Sequence, residues 1–169
     1  MSMLYVKPIG FIRSEHKKAE DTPIQPVYAE ECKGRVEVFP EYEEGLTDIE
    51  GFSHIILLYW LHKAGAAKML VKPFLVDEQH GVFATRSPCR PNPIGLSIVR
   101  LIKRAGPILT IEGVDVLDGT PVLDIKPYSS RFDCFPDAHN GWQEAISSEE
   151  ANRRGKRGYR GSGGKENVS

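Results

Sequence analysis

Cysteine is scarce in this chain of 169 residues: its three cysteines, Cys32, Cys89 and Cys134, are an odd number spread far apart. The sequence contains no Cys-x-x-Cys pair and no spacing of cysteine and histidine typical of a zinc site. We therefore expect neither a disulfide framework nor a metal, and a reducing, cytoplasmic setting is the simplest interpretation.

Several motifs that would identify a common enzyme class are also absent. The sequence has no Gly-x-Gly-x-x-Gly, no phosphate-binding Gly-x-x-x-x-Gly-Lys-Ser/Thr, no His-Glu-x-x-His and no Gly-x-Ser-x-Gly. Dinucleotide-binding, nucleotide-hydrolysing, metalloprotease and serine-hydrolase functions therefore lose their usual support. The longest apolar run, residues 55–61, is far too short to cross a bilayer, so we expect no membrane partner.

The composition is that of a globular protein, with 40% hydrophobic and 27% charged residues. We expect one domain over residues 1–142, followed over residues 143–169 by a short helix and a basic tail. Residues 151–169 hold six basic residues and one acid, so they carry +5, and the remaining chain carries −6. Only the tail has the charge of a nucleic-acid-binding segment. Beyond Gly155 its glycine and serine content predicts disorder.

Alternating apolar and polar residues, punctuated by turns, predict a chain made mostly of strands. Residues 53–62 read as a central strand covered on both faces, and Asp118-Gly119 predicts a hairpin turn. Two short helices are expected, one over residues 40–49 and one capped by Ser147. With no β-α-β rhythm, the pattern favours an antiparallel barrel or closed sheet. The predicted strands cover residues 4–12, 34–39, 53–62, 69–76, 94–103, 108–116 and 121–125.

A loop rich in proline lies within residues 81–97, which read GVFATRSPCRPNPIGLS. Pro88, Pro91 and Pro93 fix the backbone and exclude a helix or a central strand. The stiff loop holds Arg86 and Arg90, together with Ser87 and Asn92, in set directions. Such a loop suits a ligand with anionic and planar parts. It equally suits a surface loop whose arginines pair with nearby carboxylates.

A second informative stretch, residues 113–128, places three carboxylates around the predicted hairpin. The turn by itself explains Asp118. Asp115 and Asp124 are predicted to face one another across the strands, where paired acids need a reason. A pocket that receives an amine or ribose hydroxyls would supply one. Lys126 and Tyr128 are equally readable as ordinary residues at the strand exit.

Four runs together resemble one family in order and spacing: IGFIRS with TPIQP, GFSHIILLYWLH, GVFATRSPCRPNPIGLS and DVLDGTPVLDIKPY. It is the TrmO-like family, also called TsaA-like or YaeB-like, and the resemblance covers about residues 5–140. It implies a mainly β protein with a single-sheeted antiparallel barrel and a few short helices. It also implies a homodimer that binds S-adenosylmethionine near the subunit interface and methylates N6 of threonylcarbamoyladenosine at position 37 of tRNA.

The resemblance also implies the residues of the site. Cofactor-binding positions fall on Ile24, Gln25, Pro26, His62, Lys63, Arg86, Leu96, Asp115, Val116, Leu117 and Asp118.

The reaction needs a proton acceptor near a poorly nucleophilic nitrogen. The candidates are His62, then Asp118 or Asp124, then Tyr128. Arg90 and Asn92 are expected to contact the tRNA backbone or the threonyl carboxylate. Two alternatives stay open: a methyltransferase for another RNA or a small molecule, and a non-catalytic RNA-binding module.

Overall fold

The computed structural model describes residues 4–159, and its centre is a closed barrel of six strands. The strands follow one another around the barrel in the order β1-β2-β7-β6-β3-β8, and every neighbouring pair is antiparallel. The predicted mainly β fold with a single-sheeted antiparallel barrel is confirmed. The strands are β1 Gly10–Ser14, β2 Lys33–Val38, β3 His54–Trp60, β4 Leu70–Val71, β5 His80–Gly81, β6 Ile94–Ala105, β7 Ile108–Glu112 and β8 Thr120–Pro127.

Short helices fill the connections. Within the part of the chain that the structure describes, two are α-helical, α1 Ser130–Asp133 and α2 Ser148–Gly155. The predicted cap of α2 is present, since the Ser147 side chain accepts a hydrogen bond from the backbone N–H of Glu150. The 3₁₀ helices are Ala19–Asp21, Pro26–Tyr28, Pro40–Leu46, Ile49–Gly51, Val82–Ala84 and Gly141–Ala145.

The barrel interior is filled by alternate residues of each strand. On β3 the inward side chains are those of Ile55, Leu57 and Tyr59, and those between them face outward. The prediction that this strand is covered on both faces is therefore wrong in the single chain, because a barrel wall has one inner face. The predicted strand over residues 69–76 shrinks to the two-residue β4, since Pro73 has no N–H to donate to a ladder.

The predicted hairpin at Asp118-Gly119 is also wrong. β7 pairs with β2 and β6, whereas β8 pairs with β1 and β3. Residues 113–119 therefore cross the mouth of the barrel, tied to β1 because the Gly119 N–H donates to Ile12 O at 2.8 Å. A turn is present, with Gly119 at a φ of 75°, but its strands separate. Asp115 and Asp124 consequently do not face each other.

The C-terminal segment, residues 147–159, packs against the loop that follows β1. The Ile24 N–H donates to Gly155 O at 2.9 Å, and the Gly158 N–H donates to Glu20 O at 3.1 Å. The Arg157 guanidinium lies 4.0 Å from the centre of the Phe74 ring. Residues 156–159, predicted from composition to be disordered, are held by these contacts. The rest of the predicted basic tail, residues 160–169, lies outside the described residues.

Within residues 4–159, no helix has both the length and the apolar character needed to cross a membrane.

The packing of the C-terminal segment depends on the bare backbone at Gly155. A Cβ at this position would clash sterically with the nearest ring atom of Tyr28. We expect Gly155→Ala to weaken the docking of residues 147–159 by about 1–3 kcal/mol, the usual cost of overpacking. Trypsin should then cleave faster at Arg153, Arg154 and Arg157. Gly51→Ala is the control, because a Cβ there meets open space. Equal cleavage of both variants would show that the segment is not held this way.

Candidate functional site

The segments that the sequence analysis predicted to be functional lie at one end of the barrel. Trp60 at the end of β3 lies opposite Ile94 at the start of β6, and Thr120 at the start of β8 lies opposite Ile12 on β1. Antiparallel pairing therefore brings four connections to the same rim. They are residues 15–26, residues 61–63, the proline-rich loop before β6 and the crossing segment 113–119.

Arg86 joins the proline-rich loop to the loop after β1. Its guanidinium donates a hydrogen bond of 2.5 Å to Gln25 Oε1, while Gln25 Nε2 donates to Ile24 O at 2.7 Å. Pro26 begins a 3₁₀ helix, and its ring approaches the crossing segment at Gly113. Four predicted cofactor-binding positions thus meet at one point: Ile24, Gln25, Pro26 and Arg86.

Asp115 contributes a carboxyl group whose pKa is set by opposing effects. Its Oδ1 accepts a 2.6 Å hydrogen bond from Ser97 Oγ, and Ser97 Oγ lies 2.9 Å from the hydroxyl of Tyr59. Burial raises the pKa of Asp115 to about 7, although the hydrogen bond from Ser97 and the charge of Arg86 oppose this shift. Burial likewise raises the pKa of Tyr59, so its hydroxyl stays protonated. Asp115 is therefore a group that changes charge near neutral pH.

Tyr59 and Ser97 belong to the site by geometry, and sequence reasoning missed them. Tyr59 is 5% exposed and Ser97 is fully buried, and both look like core positions in their strands. The ring of Tyr59 lies against Gly95, where a Cβ would overlap it. The usable signal in the sequence was a serine among the otherwise apolar inward positions of β6.

Arg90 forms hydrogen bonds within its own loop. Its guanidinium donates to Thr85 O at 3.0 Å and to Ser87 O at 3.4 Å. These bonds brace the loop, and the expected contact of Arg90 with substrate stays a prediction. Asn92 is exposed, and its carbonyl accepts a 2.7 Å bond from the Ile94 N–H. From outside the loop, Trp142 Nε1 donates a hydrogen bond of 2.8 Å to Ala84 O. This bond also holds the loop in place, and nothing in the sequence predicted it.

Asp118 is held as part of the turn. Its carboxylate accepts from the Ser14 N–H at 3.1 Å and pairs with Lys17 at 2.7 Å. The Lys17 ammonium and the Ser14 N–H hold the pKa of Asp118 below its ordinary value. A carboxylate stabilised in this way is a weak base. The neighbouring Val116 is buried in the core, and its carbonyl accepts from Ser14 Oγ at 2.6 Å.

The other proton-acceptor candidates are spread along the barrel. His62 lies at the rim, half-buried, with Nδ1 3.5 Å from Thr120 Oγ1. Asp124 lies part-way along β8 and pairs with Lys126 at 2.8 Å. Tyr128 lies beyond the far end of β8, with its ring 6.2 Å from that of His54. Because β3 separates His54 from the rim by about 20 Å, Tyr128 lies at the opposite end of the barrel from His62, and its role as a proton acceptor stays a prediction.

Two further predicted positions are open to solvent. Lys63 is exposed beside His62. Leu96 faces outward from β6 and is 38% exposed. In the ladder it lies level with Leu58, which in turn lies level with Asp124.

Comparisons with known proteins agree on one family. Residues 11–134 match the family described as tRNA-methyltransferase O N-terminal domain. A Pyrococcus abyssi protein named a probable S-adenosyl-L-methionine-binding protein is 56% identical over 142 residues, which cover 84% of this chain and 77% of that protein. The human tRNA (adenine(37)-N6)-methyltransferase is 39% identical over 137 residues, 77% of this chain and 31% of that protein.

Solved structures give the same result. The crystal structure of TrmO from Pseudomonas aeruginosa superposes with a TM-score of 0.71 at 40% identity, covering 83% of this chain and 63% of that one. The present chain therefore spans slightly less than two thirds of that solved chain.

Proposed function

The chain belongs to the tRNA-methyltransferase O family, and from this premise we propose that it methylates N6 of threonylcarbamoyladenosine at position 37 of tRNA. S-adenosylmethionine is the methyl donor, and we propose that the protein acts on tRNA in the cytoplasm. The observation that carries the proposal is the meeting of Arg86, Gln25 and Asp115 at one rim of the barrel.

The chemistry of this rim fits the methyl donor. S-adenosylmethionine combines a carboxylate, an ammonium, a sulfonium and a ribose diol. The Arg86 guanidinium binds the carboxylate, and ionised Asp115 attracts the cationic groups or accepts from the hydroxyls. Ile24, Pro26 and Leu117 supply apolar surface beside these polar groups. With Gln25 already fixing Arg86, little side-chain freedom is lost on binding.

His62 is the proton acceptor that we propose. The nitrogen to be methylated is amide-like, so it reacts only as its proton is removed. The Asp118 carboxylate is occupied by Lys17, the Asp124 carboxylate by Lys126, and Tyr128 lies at the far end of the barrel. His62 alone among the four candidates combines the rim position with a side chain whose recorded contact is with a hydroxyl, that of Thr120, rather than with a cation.

Replacing Arg86 tests the donor site. We expect Arg86→Ala to weaken S-adenosylmethionine binding by about 10- to 150-fold, the loss typical of a hydrogen bond to a charged group. Arg86→Lys should recover only part of the affinity, because lysine lacks the forked donors. Calorimetric titration measures both. The control is Arg131→Ala, which removes an exposed arginine from α1. Unchanged affinity in Arg86→Ala would remove Arg86 from the site.

The substrate is tested with labelled methyl donor and two preparations of one tRNA. We expect label to enter the tRNA that carries threonylcarbamoyladenosine and not the tRNA that lacks the threonylcarbamoyl group. Equal labelling of both would contradict the proposed substrate and favour a methyltransferase for another position. Donor binding without labelling of either would favour a different RNA or a small-molecule substrate.

We also propose that two copies pair through the outer face of β3 and β6. Trp60, Ile94, Leu96 and Ile98 are 50%, 47%, 38% and 37% exposed on this face. The register places Trp60 beside Ile94, so the four form a continuous apolar surface. A second copy is the occupant that matches the site, because Leu96 connects this surface to the proposed donor position.

A charge on this face should separate the copies. We expect Ile98→Asp to be monomeric in light scattering coupled to size exclusion, because pairing would bury an uncompensated carboxylate. Ile108→Asp is the control, since Ile108 is 38% exposed on β7, away from the surface. A dimer that survives Ile98→Asp places the subunit contact elsewhere.

A further inference from the structure

A second group of reactive side chains lies beside the C-terminal segment, at the same end of the barrel as Arg86 and Asp115 but made of different residues. A carboxylate oxygen of Glu15, a ring nitrogen of His16 and the sulfur of Cys32 all lie within 4.8 Å of one another. His16 is 3% exposed and Cys32 is fully buried, whereas Glu15 reaches solvent. The Tyr159 hydroxyl donates to Glu15 Oε1 at 3.0 Å, and its ring packs edge-on against His16 with centroids 5.4 Å apart.

The hydrogen bonding of His16 prepares its ring to bind a cation. His16 Nε2 lies 2.7 Å from the carbonyl oxygen of Val114. A carbonyl only accepts, so Nε2 carries a proton, and in the neutral ring the lone pair is then on Nδ1. Histidines that bind metals in proteins commonly donate their other ring N–H to a carbonyl or carboxylate, which fixes the ring.

We propose that Glu15, His16 and Cys32 bind one Zn²⁺ ion, with the Tyr159 hydroxyl or a water molecule completing the coordination. A thiolate, an imidazole and a carboxylate form the mixed set of sulfur, nitrogen and oxygen donors that tetrahedral zinc accepts. On binding, the Cys32 S–H proton leaves to solvent and the sulfur binds the ion as a thiolate. The ion would join the loop after β1, the residue preceding β2 and the C-terminal segment.

Spacing in the sequence does not reveal this set. Glu15 and His16 are adjacent, but Cys32 enters only because the chain returns to the barrel at β2. Tyr159 comes from the C-terminal segment, which covers the cluster. We expected no metal because the spacing of cysteine and histidine in the sequence showed no site. Spacing does not report on residues that only the fold brings together.

Cobalt(II) is the probe for the site, because it substitutes for zinc and absorbs visible light. The full chain is treated with a chelator, dialysed and titrated with Co²⁺. We expect one equivalent to bind, with the absorption of a tetrahedral ion and a charge-transfer band from the thiolate. Zn²⁺ should bleach both. Cys32→Ser should lose the charge-transfer band, whereas Cys134→Ser, which changes an exposed cysteine, should keep it.

A second measurement covers the case in which Cys32→Ser does not fold. Zn²⁺ should raise the melting temperature of the wild-type chain, and Glu15→Gln and His16→Gln should reduce its Zn²⁺ affinity by at least about tenfold. Absence of stoichiometric uptake by the wild-type chain would overturn the proposal and leave a hydrogen-bonded cluster only. A charge-transfer band or a melting shift that persists unchanged in the variants would do the same.

Discussion

Replacing His62 by glutamine is expected to lower the turnover number by about 10²- to 10⁴-fold, the range that general-base catalysis supplies. Glutamine keeps a polar side chain of similar reach, so the contact with Thr120 can be retained while the proton acceptor is lost. The affinity for S-adenosylmethionine should change little. Single-turnover rates measured with saturating donor and modified tRNA separate these two effects.

Two of the other proton-acceptor candidates, Asp124 and Tyr128, provide matched controls for this experiment. Asp124→Asn and Tyr128→Phe should keep rates near the wild-type value, because the Asp124 carboxylate pairs with Lys126 and Tyr128 packs beside His54. A full rate in His62→Gln, or an equal loss in Asp124→Asn, would reassign the proton acceptor.

The strands were predictable because period-two alternation reports which side chains face inward, and β2 and β6 follow it closely. The partners of each strand were not predictable from alternation. Asp118-Gly119 produces the same turn whether the chain folds back or crosses the barrel mouth. Long-range bonds decide between these outcomes, here from Gly119 to Ile12. Local turn chemistry therefore identified the bend and missed its topology.

Site residues that lie in a sequence motif could be predicted. Site residues that are brought together only by the register between strands could not. Arg86 and Asp115 lie in distinctive runs of sequence, and the fold brings them to one rim. Ser97 and Tyr59 join the candidate site only because β3 and β6 pair so that their hydroxyls form a hydrogen-bonded chain to Asp115. The C-terminal segment shows the same limit, since composition described its charge but not the glycine that lets Tyr28 approach.

Asp115 should make donor binding depend on pH around neutrality. Burial raises the pKa of its carboxyl to about 7, and the cationic donor favours the ionised form. If only the ionised form binds well, affinity for S-adenosylmethionine should rise about tenfold between pH 6 and pH 8. Asp115→Asn should bind more weakly than the wild type at pH 8 and show no such rise. Titration calorimetry at the two pH values measures the difference.

The same group should lower the stability of the free protein as the pH rises. The folded chain holds the Asp115 proton up to about pH 7, while an unfolded aspartate releases it near pH 4, so the unfolding free energy falls through this window. Relative to the wild type, Asp115→Asn should gain on the order of 2–4 kcal/mol above pH 7 and nothing below pH 4. Asp137→Asn, at an exposed position, is the control. A constant difference between Asp115→Asn and the wild type at all pH values would mean that Asp115 is already ionised when folded. Ionisation of Asp115 could then not cause the tenfold rise in donor affinity. The denaturation and calorimetry experiments must therefore both show the pH dependence if Asp115 ionises near pH 7 in the folded protein.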